Sequence, residues 1–408
     1  MPPDKSILIV QQYAVPPDQP GGTRHFEFAK YLIACGWQTE IFCSDYNHVG
    51  RRYFRRPEKT DRRTKIVVED GVKFRYFWVP GYERNDARRA WSMAIFSLKI
   101  FWSIIRSNSA IVYASSPHIF GAFGARLAAT LRRKRFVLEV RDLWPEFIFD
   151  STKTKQGIQY NLIGRMASYL YAHSELIVIF AGANRSVIEE RGGRSQKIKV
   201  LSGIEPHKIL PIDRQTKKSS SEYRFVFVGT HGKLYGLETL LEAASLLQKQ
   251  GINNISVHLI GDGPEKESLQ ELAANLGLHN TVFHDPVPKS SVVPTLQKYD
   301  VGLHIVRPSH VSGFGISPQK LYEYMALGLP VVSNVLGENE TMIRRANAGI
   351  TSAADDPESL AMGILEMRDH LRADPNAFDG GPNYLLEFEN RSLMLESLDS
   401  SLLDLLDR

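Results

Sequence analysis

The stretch Pro318-Gln-Lys-Leu-Tyr-Glu-Tyr-Met-Ala-Leu-Gly-Leu-Pro-Val-Val332 predicts a helix that turns into a short buried strand. Ser317 and Pro318 have the residue types of an N-cap and a first helical position, so the helix would begin with free backbone amides that suit an anion. Glu323 follows Lys320 by three residues and lies on nearly the same helix face, which places a carboxylate for sugar hydroxyls beside an ammonium for phosphate. The segment indicates a nucleotide-sugar site; the alternative is an ordinary helix that enters a strand.

Short apolar runs alternate with stretches of helical period along the chain, which is typical of parallel sheets covered by helices on both faces. The predicted strands of the first half are residues 6–11, 38–44, 72–77, 110–113, 136–140, 176–180 and 197–201. Those of the second half are residues 224–228, 255–260, 281–283, 301–306, 331–333 and 349–351. The polar residues 214–222 between the two series are interpreted as a linker. The predicted fold is therefore α/β, with two Rossmann-like, doubly wound domains that face each other across a cleft.

The composition favours a globular protein without a disulfide framework or a metal centre. The chain has 408 residues, more than one core usually holds, and its two cysteines, Cys35 and Cys43, favour a reducing compartment. The first apolar run, residues 7–10, is too short for the core of a signal peptide, so we expect a cytoplasmic protein.

Charge is distributed unevenly along the sequence. Residues 1–214 carry 34 Lys and Arg against 20 Asp and Glu, whereas the remainder carries 16 against 25. A basic face suits anionic lipid or an acidic substrate. Nucleic acid is disfavoured as a partner because the basic residues lack interleaved aromatic side chains.

Residues 90–105 predict a helix that is apolar except for a narrow polar stripe. The stripe comprises Arg88, Ser92, Lys99, Ser103 and Arg106. The helix falls short of the roughly 20 residues that cross a bilayer, which leaves two interpretations: a helix buried in its domain, or one whose apolar side dips into an anionic membrane surface. The flanking arginines favour membrane contact and a peripheral position on the cytoplasmic face of the inner membrane.

Three glycine-rich segments follow predicted strands. Gly21 and Gly22 precede a helix, and the loop Gly229-Thr-His-Gly-Lys-Leu-Tyr-Gly236 repeats that arrangement with Lys233 as a cation. The third segment is Gly261-Asp-Gly-Pro264. Glycine lets the backbone approach a phosphate or a sugar closely, although ordinary turns explain each segment equally well.

Taken in this order, the segments resemble the retaining GT-B glycosyltransferases of family 4 over nearly the full chain. Further matching segments are Leu276-Gly-Leu278, Tyr299-Asp300-Val301-Gly302, Lys320 through Val332, and Phe388-Glu-Asn-Arg391. Val140-Arg-Asp-Leu-Trp-Pro-Glu146 is most similar to transferases of polysaccharide and O-antigen assembly, including those that move N-acetyl-L-fucosamine. The resemblance implies an acceptor-side domain over residues 1–212, a nucleotide-sugar domain over residues 213–385, and a C-terminal helix, residues 386–408, that packs back on the first domain.

The chain also departs from the family pattern. Gly315 stands where the family has its first glutamate, and Thr230 and Tyr235 stand where it has the arginine and lysine that bind diphosphate. Arg141-Asp142 replaces the common His-Asp pair, which leaves Asp142 as the polar group nearest the reacting sugar. The O-antigen subgroup resembles this chain in these substitutions.

The resemblance implies transfer, with retention, of an N-acetylated hexosamine or deoxyhexosamine from a UDP-sugar to a polyprenyl-diphosphate-linked or saccharide acceptor, without a metal or another cofactor. The implied catalytic residues are Asp142, Lys233 and Lys320. The implied donor-binding residues are Gly22, Gly229, His231, Gly232, Gly261, Asp262, Val287, Arg307, Ser317, Pro318, Leu321 and Glu323. Two alternatives are a non-hydrolysing UDP-N-acetylglucosamine 2-epimerase and a nucleotide-binding scaffold without transfer activity.

Overall fold

The computed structural model describes residues 5–19, 21–48, 50–56, 61–84, 86–116, 118–146, 157–212, 222–288, 291–308 and 319–407. The chain divides into two compact units. The first comprises Met1–Leu201 with Met394–Arg408, and the second comprises Ser202–Leu393. Each unit is built on a parallel sheet, so the predicted α/β class with two Rossmann-like domains is confirmed.

The first unit contains an eight-stranded sheet and a separate antiparallel pair within the described residues. Its strands are β1 (Ser6–Val10), β2 (Gln38–Ser44), β3 (Tyr46–Asn47), β4 (Arg52–Tyr53), β5 (Lys65–Glu69), β6 (Val72–Phe77), β7 (Ile111–Ser115), β8 (Arg135–Val140), β9 (Leu176–Ile179) and β10 (Ile198–Val200). Its helices are α1 (Arg24–Ala34), α2 (Ala87–Arg106), α3 (Ile119–Leu131), α4 (Ile158–His173) and α5 (Asn184–Glu190). The order across the large sheet is β10-β9-β8-β7-β1-β2-β6-β5, and β5 is antiparallel to its neighbour whereas the other pairs are parallel.

The second unit holds a six-stranded parallel sheet in the order β13-β12-β11-β14-β15-β16. The strands are β11 (Tyr223–Val228), β12 (Ile255–Ile260), β13 (Thr281–His284), β14 (Val301–His304), β15 (Val331–Ser333) and β16 (Gly349–Thr351). The helices from here to the end of the chain are α6 (Leu237–Lys249), α7 (Lys266–Asn275), α8 (Val292–Leu296), α9 (Gln319–Ala326), α10 (Glu338–Arg345), α11 (Pro357–Ala373), α12 (Gly381–Phe388) and α13 (Arg391–Leu406). The central strands are buried on both faces, which is why they are continuous runs of apolar residues.

The last helix, α13, completes the core of the first unit. Leu398, Leu402 and Leu405 are buried in the same cluster as the apolar side chains of β1, β2 and β6. Trp37 Nε1 also donates a 2.6 Å hydrogen bond to Asp399 Oδ1. The C-terminal part of the sequence therefore belongs structurally to the first unit.

The boundaries between the units differ from the predicted ones. The chain enters the second unit at Ser202 rather than after residue 212. The physical reason is that the Leu210 and Ile212 amides donate to the carbonyls of Ala326 and Leu327 at 3.0 and 2.9 Å, which ties residues before the predicted boundary to the second unit. Of the predicted linker, residues 214–222, only Glu222 lies among the described residues.

Helix α2 is longer than the predicted 90–105 and is capped by Asp86, whose Oδ1 accepts from the amides of Arg88 and Arg89. Within the predicted polar stripe, Ser92 is fully buried and Lys99 Nζ donates to the Trp78 carbonyl at 3.0 Å, whereas Arg88 and Arg106 are exposed. None of the helices in the described part of the chain is both long and apolar enough to span a bilayer.

Candidate functional site

In the second sheet, the order in which successive strands are added reverses next to β11. Strands β12 and β13 lie on one side of β11, and β14, β15 and β16 lie on the other. The connections that leave β11 and β14 therefore depart to opposite sides, and ligands of open parallel sheets bind at the carboxyl end of such a switch point. The loop after β11 begins at Gly229, and the segment after β14 leads to Arg307. The topology therefore brings Gly229 and Arg307, which are both predicted donor-binding residues, to one edge of the sheet.

Two glycine loops cross at this edge with almost no space between them. The His231 amide donates to the Asp262 carbonyl at 2.8 Å, and the Glu265 amide donates to the His231 carbonyl at 3.0 Å. A Cβ atom on Gly261, whose φ is +149°, would overlap the carbonyl oxygen of Gly229. Glycine is required here because the backbones touch, which is a structural reason for the Gly261-Asp-Gly pattern that the sequence alone did not supply.

His231 is held inside this crossing. Its ring is fully buried near the rings of Phe227 and Phe283, at centroid distances of 6.3 and 6.2 Å. Neither ring nitrogen has a hydrogen-bond partner among the described residues. Burial lowers the pKa of His231, and the charge of Lys266 lowers it further, so the imidazole is neutral at physiological pH.

Lys320, on α9, reaches the same loop. Its Nζ lies 3.4 Å from the ring centroid of Tyr235 and 4.7 Å from that of Phe227. A Cβ atom on Gly229 would overlap Lys320 Cε and lie 2.6 Å from Nζ, so the ammonium sits directly on the glycine backbone. Burial lowers the pKa of Lys320 to about 7, against the opposing charge of Glu323. No ion pair of Lys320 occurs within the described part of the chain.

Helix α9 is fixed by its buried face. The Tyr324 hydroxyl accepts from the Val228 amide at 3.2 Å and donates to the Val226 carbonyl at 3.4 Å, which ties the helix to β11. Gly302 of β14 leaves the space that the Tyr324 ring fills, since a Cβ there would lie 2.5 Å from Tyr324 Cγ. Leu321 is fully buried in the core, so its side chain packs the helix and lines no open surface.

The remaining predicted donor residues occupy different surroundings. The Arg307 guanidinium is bound to Glu238 Oε1 at 2.6 Å, and its amide donates to the Leu234 carbonyl at 2.7 Å. Lys233 is exposed in a single helical turn, Lys233–Tyr235, that starts after Gly232. Asp262 is exposed, Val287 is half-buried, and Glu323 is half-buried on the helix that carries Lys320. Ser317 and Pro318, with Gly315, lie outside the described residues.

A second polar centre lies at the carboxyl end of β8 in the first unit. Glu139 is fully buried and accepts hydrogen bonds from Tyr113 Oη and Ser115 Oγ at 2.8 and 2.6 Å. Arg24 Nη2 donates to it at 2.7 Å, and His25 Nε2 lies at 3.0 Å. The pKa of Glu139 is well below its usual value because these partners outweigh the cost of its burial. An ionised carboxylate only accepts, so His25 Nε2 carries the shared proton.

Asp142 and Arg141 directly follow this strand. Burial raises the pKa of Asp142, and the positive charges of Arg141 and Arg24 oppose that shift. Gly22 lies in the exposed loop before α1, with open space around its α-carbon. Arg24 and His25 of the first turn of α1 therefore link the glycine loop to the strand that ends before Asp142.

Several of these groups are absent from the residues predicted from the sequence. Glu139 is a charged residue within an apolar strand, Arg135–Val140, and that pattern was an available signal of a buried ion pair. Arg24 and His25 follow Gly21 and Gly22 after one residue, Thr23, but only the fold shows that they meet β8. No sequence pattern identified Phe227 or Glu238 as a neighbour of the predicted donor-binding residues. Among the described residues, no group of three or more His, Cys, Asp or Glu side chains could hold a metal ion.

Comparison with known proteins agrees with this architecture. Residues 21–203 match the model of the glycosyl transferase 4-like domain, and residues 209–370 match that of the glycosyl transferases group 1. The probable glycosyltransferase WbjE of Pseudomonas aeruginosa is 24% identical over 343 residues, which is 80% of this chain and 83% of that protein.

Two solved structures are similar over nearly their full length. Alr3699/HepE of Anabaena, solved with UDP and glucose, has a TM-score of 0.67 at 16% identity and covers 98% of this chain and 99% of its own. WaaG, a glycosyltransferase involved in lipopolysaccharide biosynthesis, has a TM-score of 0.67 at 13% identity and covers 97% and 99%. The chain is therefore a GT-B glycosyltransferase that joins a glycosyl transferase 4-like domain to a glycosyl transferases group 1 domain.

Proposed function

We propose that this protein transfers a sugar from a UDP-sugar, with retention at the anomeric carbon, to a lipid-linked or saccharide acceptor in cell-surface polysaccharide synthesis. The observation that carries the proposal is the position of the Lys320 ammonium on the Gly229 backbone at the switch point of the second sheet. Its close neighbours there are the aromatic rings of Tyr235 and Phe227, so a diphosphate would supply the counter-charge.

The proposed mechanism is electrostatic stabilisation of the leaving group. Cleavage of the bond to the sugar places negative charge on the diphosphate, which Lys320 and the exposed Lys233 would offset. Glu323 is proposed to accept hydrogen bonds from the ribose hydroxyls, and backbone near Val287 to contact the base. Arg307 would contribute only after exchanging its present partner, Glu238, for phosphate. The acceptor is proposed to attack from the leaving-group face, with the phosphate as its base.

Asp142 is proposed to position the transferred sugar or to act as its electrostatic partner. It is half-buried, and burial raises its pKa, which suits a carboxyl that hydrogen-bonds to sugar hydroxyls. Replacement by asparagine should lower turnover by several orders of magnitude and leave UDP affinity near that of the wild type. Near-normal turnover of the Asp142→Asn variant would remove this residue from the site.

The choice of donor and pathway is supported by similarity and is a proposal for this chain. HepE was solved with UDP and glucose, and WaaG is named for lipopolysaccharide biosynthesis. Both matching family models describe glycosyl transferases, which favours transfer over the epimerase and scaffold alternatives. We expect a nucleotide-sugar donor with no metal requirement and an N-acetylated hexosamine or deoxyhexosamine as the transferred group.

The direct test uses purified protein with a panel of UDP-, GDP- and TDP-sugars. The donor that raises the melting temperature is then assayed for hydrolysis and for transfer, because a ligand that binds the folded state must stabilise it. NMR of the product reports the anomeric configuration. A stabilising GDP-sugar would contradict the UDP assignment, and an inverted anomer would contradict retention.

The role of Lys320 is tested by a pair of lysine variants. Lys320→Met removes the charge and keeps most of the side-chain volume, whereas the exposed Lys249→Met, at the end of α6, is the matched control. We expect Lys320→Met to weaken UDP binding at least about tenfold, the effect of roughly 1.4 kcal/mol, and to leave uridine binding unchanged. Equal affinity of both variants for UDP in calorimetric titration would refute the diphosphate assignment.

A further inference from the structure

Helix α2 presents an apolar face to solvent. Trp91, Leu98 and Trp102 are 58%, 59% and 54% exposed, and their spacing places them on one side of the helix. The opposite side is buried through residues such as Phe96 and Ile100. Two exposed tryptophans on one helix are unusual for a surface that contacts only water, because each leaves a large apolar area hydrated.

The apolar face continues onto the edge of the sheet. Leu98 and Trp102 share an open groove of about 430 Å³ with Thr64, which directly precedes β5. Residues two apart on a strand point to the same side, so Ile66 and Val68 lie on the side of Thr64. They are 51% and 64% exposed. We call the five side chains Ile66, Val68, Trp91, Leu98 and Trp102 the α2 face.

Basic side chains lie at both ends of α2 and along one margin of the α2 face, and the exposed Asp86 before α2 and Asp70 after β5 are the acidic exceptions. Helix α2 contains no acidic residue, and its exposed Arg88 and Arg106 lie near the two ends. The Arg106 guanidinium carbon lies 5.9 Å from the Trp102 ring centroid. At the other margin, Lys99 and Arg62 both lie over the ring of Trp78, at 5.2 and 4.5 Å. An apolar centre with a basic rim is complementary to an anionic bilayer surface, where acyl chains lie beneath negative headgroups.

We propose that the α2 face is a membrane-docking surface that inserts its tryptophans at the headgroup level of an anionic bilayer. Tryptophan prefers this level because its ring is amphipathic. A second copy of this chain is a poorer occupant, because a two-fold contact would set the basic rim against itself. Docking of the α2 face is independent of the transfer reaction, since vesicle binding needs neither a donor nor an acceptor.

The test is flotation of the full chain with vesicles of phosphatidylcholine, alone or mixed with phosphatidylglycerol. We expect the wild type to float with the mixed vesicles and to stay unbound with the neutral ones. The double variant W91S/W102S should lower the partition coefficient at least about tenfold, because two aromatic side chains no longer leave water. Its matched control is I158S/M362S, which removes two exposed apolar side chains elsewhere.

The basic rim is tested separately with R88Q/R106Q, against R194Q/R344Q as a control with two other exposed arginines. Each charge removed near the surface should weaken binding to the mixed vesicles about fivefold. All replaced side chains are exposed, so melting temperatures should not change. Wild-type protein that stays unbound, or W91S/W102S that floats like the wild type, would overturn the proposal. Self-association that W91S/W102S abolishes, without vesicle binding by the wild type, would assign the face to a second copy instead.

Discussion

Lys320 is half-buried, and desolvation of its ammonium lowers its pKa to about 7, so the free protein holds a mixture of its charged and neutral forms near neutral pH. A bound diphosphate favours the charged form, which means that binding takes up a proton when the pH exceeds the pKa of the free protein. The affinity for UDP should therefore fall as the pH rises from about 7 to 9, by up to about tenfold per unit.

This dependence is measured by calorimetry in buffers of different ionisation enthalpy, which reports the protons taken up. His231 and His304 lie nearby, but burial lowers the pKa of both, that of His304 to about 3, so neither titrates in this range. Lys320→Met should show the same affinity at both ends of the range. A slope that persists in this variant would assign the titration to another group.

Gly229 should be the most sensitive glycine of the donor loop. An alanine there would overlap Lys320 Cε, and the φ of +149° is unfavourable for any side chain. We expect Gly229→Ala to displace the ammonium and weaken UDP binding about tenfold or more. Gly251→Ala is the control, because its φ is also positive, +77°, but no atom lies within 4 Å of the added Cβ. Calorimetry that finds both variants equally impaired would mean that backbone strain, and not Lys320, is responsible.

At the scale of single residues, the sequence located several predicted donor-binding residues at one edge of the second sheet, and their roles there stay predictions. Gly229 and Gly261 directly follow β11 and β12, and Lys320 lies in the first turn of α9, which are positions where glycine and lysine favour an anion. The pairing of Arg307 with Glu238, and the burial of Leu321, depend on side chains that are distant in sequence. Such contacts leave no local pattern, so only the folded chain shows them.

At the scale of elements, Glu139 connects three parts of the first unit. Its carboxylate joins the first turn of α1 to β7 and β8 through Arg24, Tyr113 and Ser115. Replacement by glutamine removes a buried charge and leaves Arg24 without its partner, so Glu139→Gln should destabilise the first unit by about 3 kcal/mol. The exposed Glu190→Gln is the matched control in the same unit. Hydrogen exchange along β7 and β8 should be faster in Glu139→Gln only.

The ionised Glu139 carboxylate should also make the free energy of unfolding decrease at low pH. The pKa of Glu139 in the folded state lies well below its usual value. Its stabilisation is therefore complete above the unfolded-state pKa of about 4.3 and is lost as the pH falls from there toward the folded value. The difference in unfolding free energy between the wild type and Glu139→Gln should shrink below about pH 4. Denaturant titrations in which the difference stays constant down to pH 3 would contradict an ionised Glu139.

The predicted strands lie within two residues of the observed bounds, but the edge strand β5 was not predicted. The ranges 6–11 and 176–180 were located because the continuous apolar runs of β1 and β9 identify parallel strands that are buried on both faces. The edge strand β5 was missed, although its residues Ile66-Val67-Val68 are apolar and the following Asp70-Gly71 is a turn signal. Ile66 and Val68 also belong to the α2 face. Because β5 was not predicted, the sequence could not decide between a buried and a membrane-facing α2.

At the scale of the whole molecule, the two-sheet architecture followed from the sequence, but the division of the chain did not. The α/β class depends on periodicity, which every strand and helix repeats. The boundary at Leu201 depends on a few hydrogen bonds between residues 210–212 and the end of α9. These contacts are too few to change the composition of the sequence near the boundary. The predicted cleft between the two units stays a prediction.

Because α13 belongs to the core of the first unit, a single substitution near the C-terminus should weaken the fold of residues more than 300 positions earlier. Leu402 is fully buried against this core, so Leu402→Ala should cost about 2–5 kcal/mol through lost apolar contact and a cavity. Leu393→Ala, on the same helix, is the control because Leu393 is 55% exposed. Hydrogen exchange should accelerate in β1 and β2 of Leu402→Ala and stay unchanged in β11 and β12 of the second unit. If both sheets respond equally, the two units unfold as one cooperative body, and the C-terminal helix stabilises the molecule as a whole.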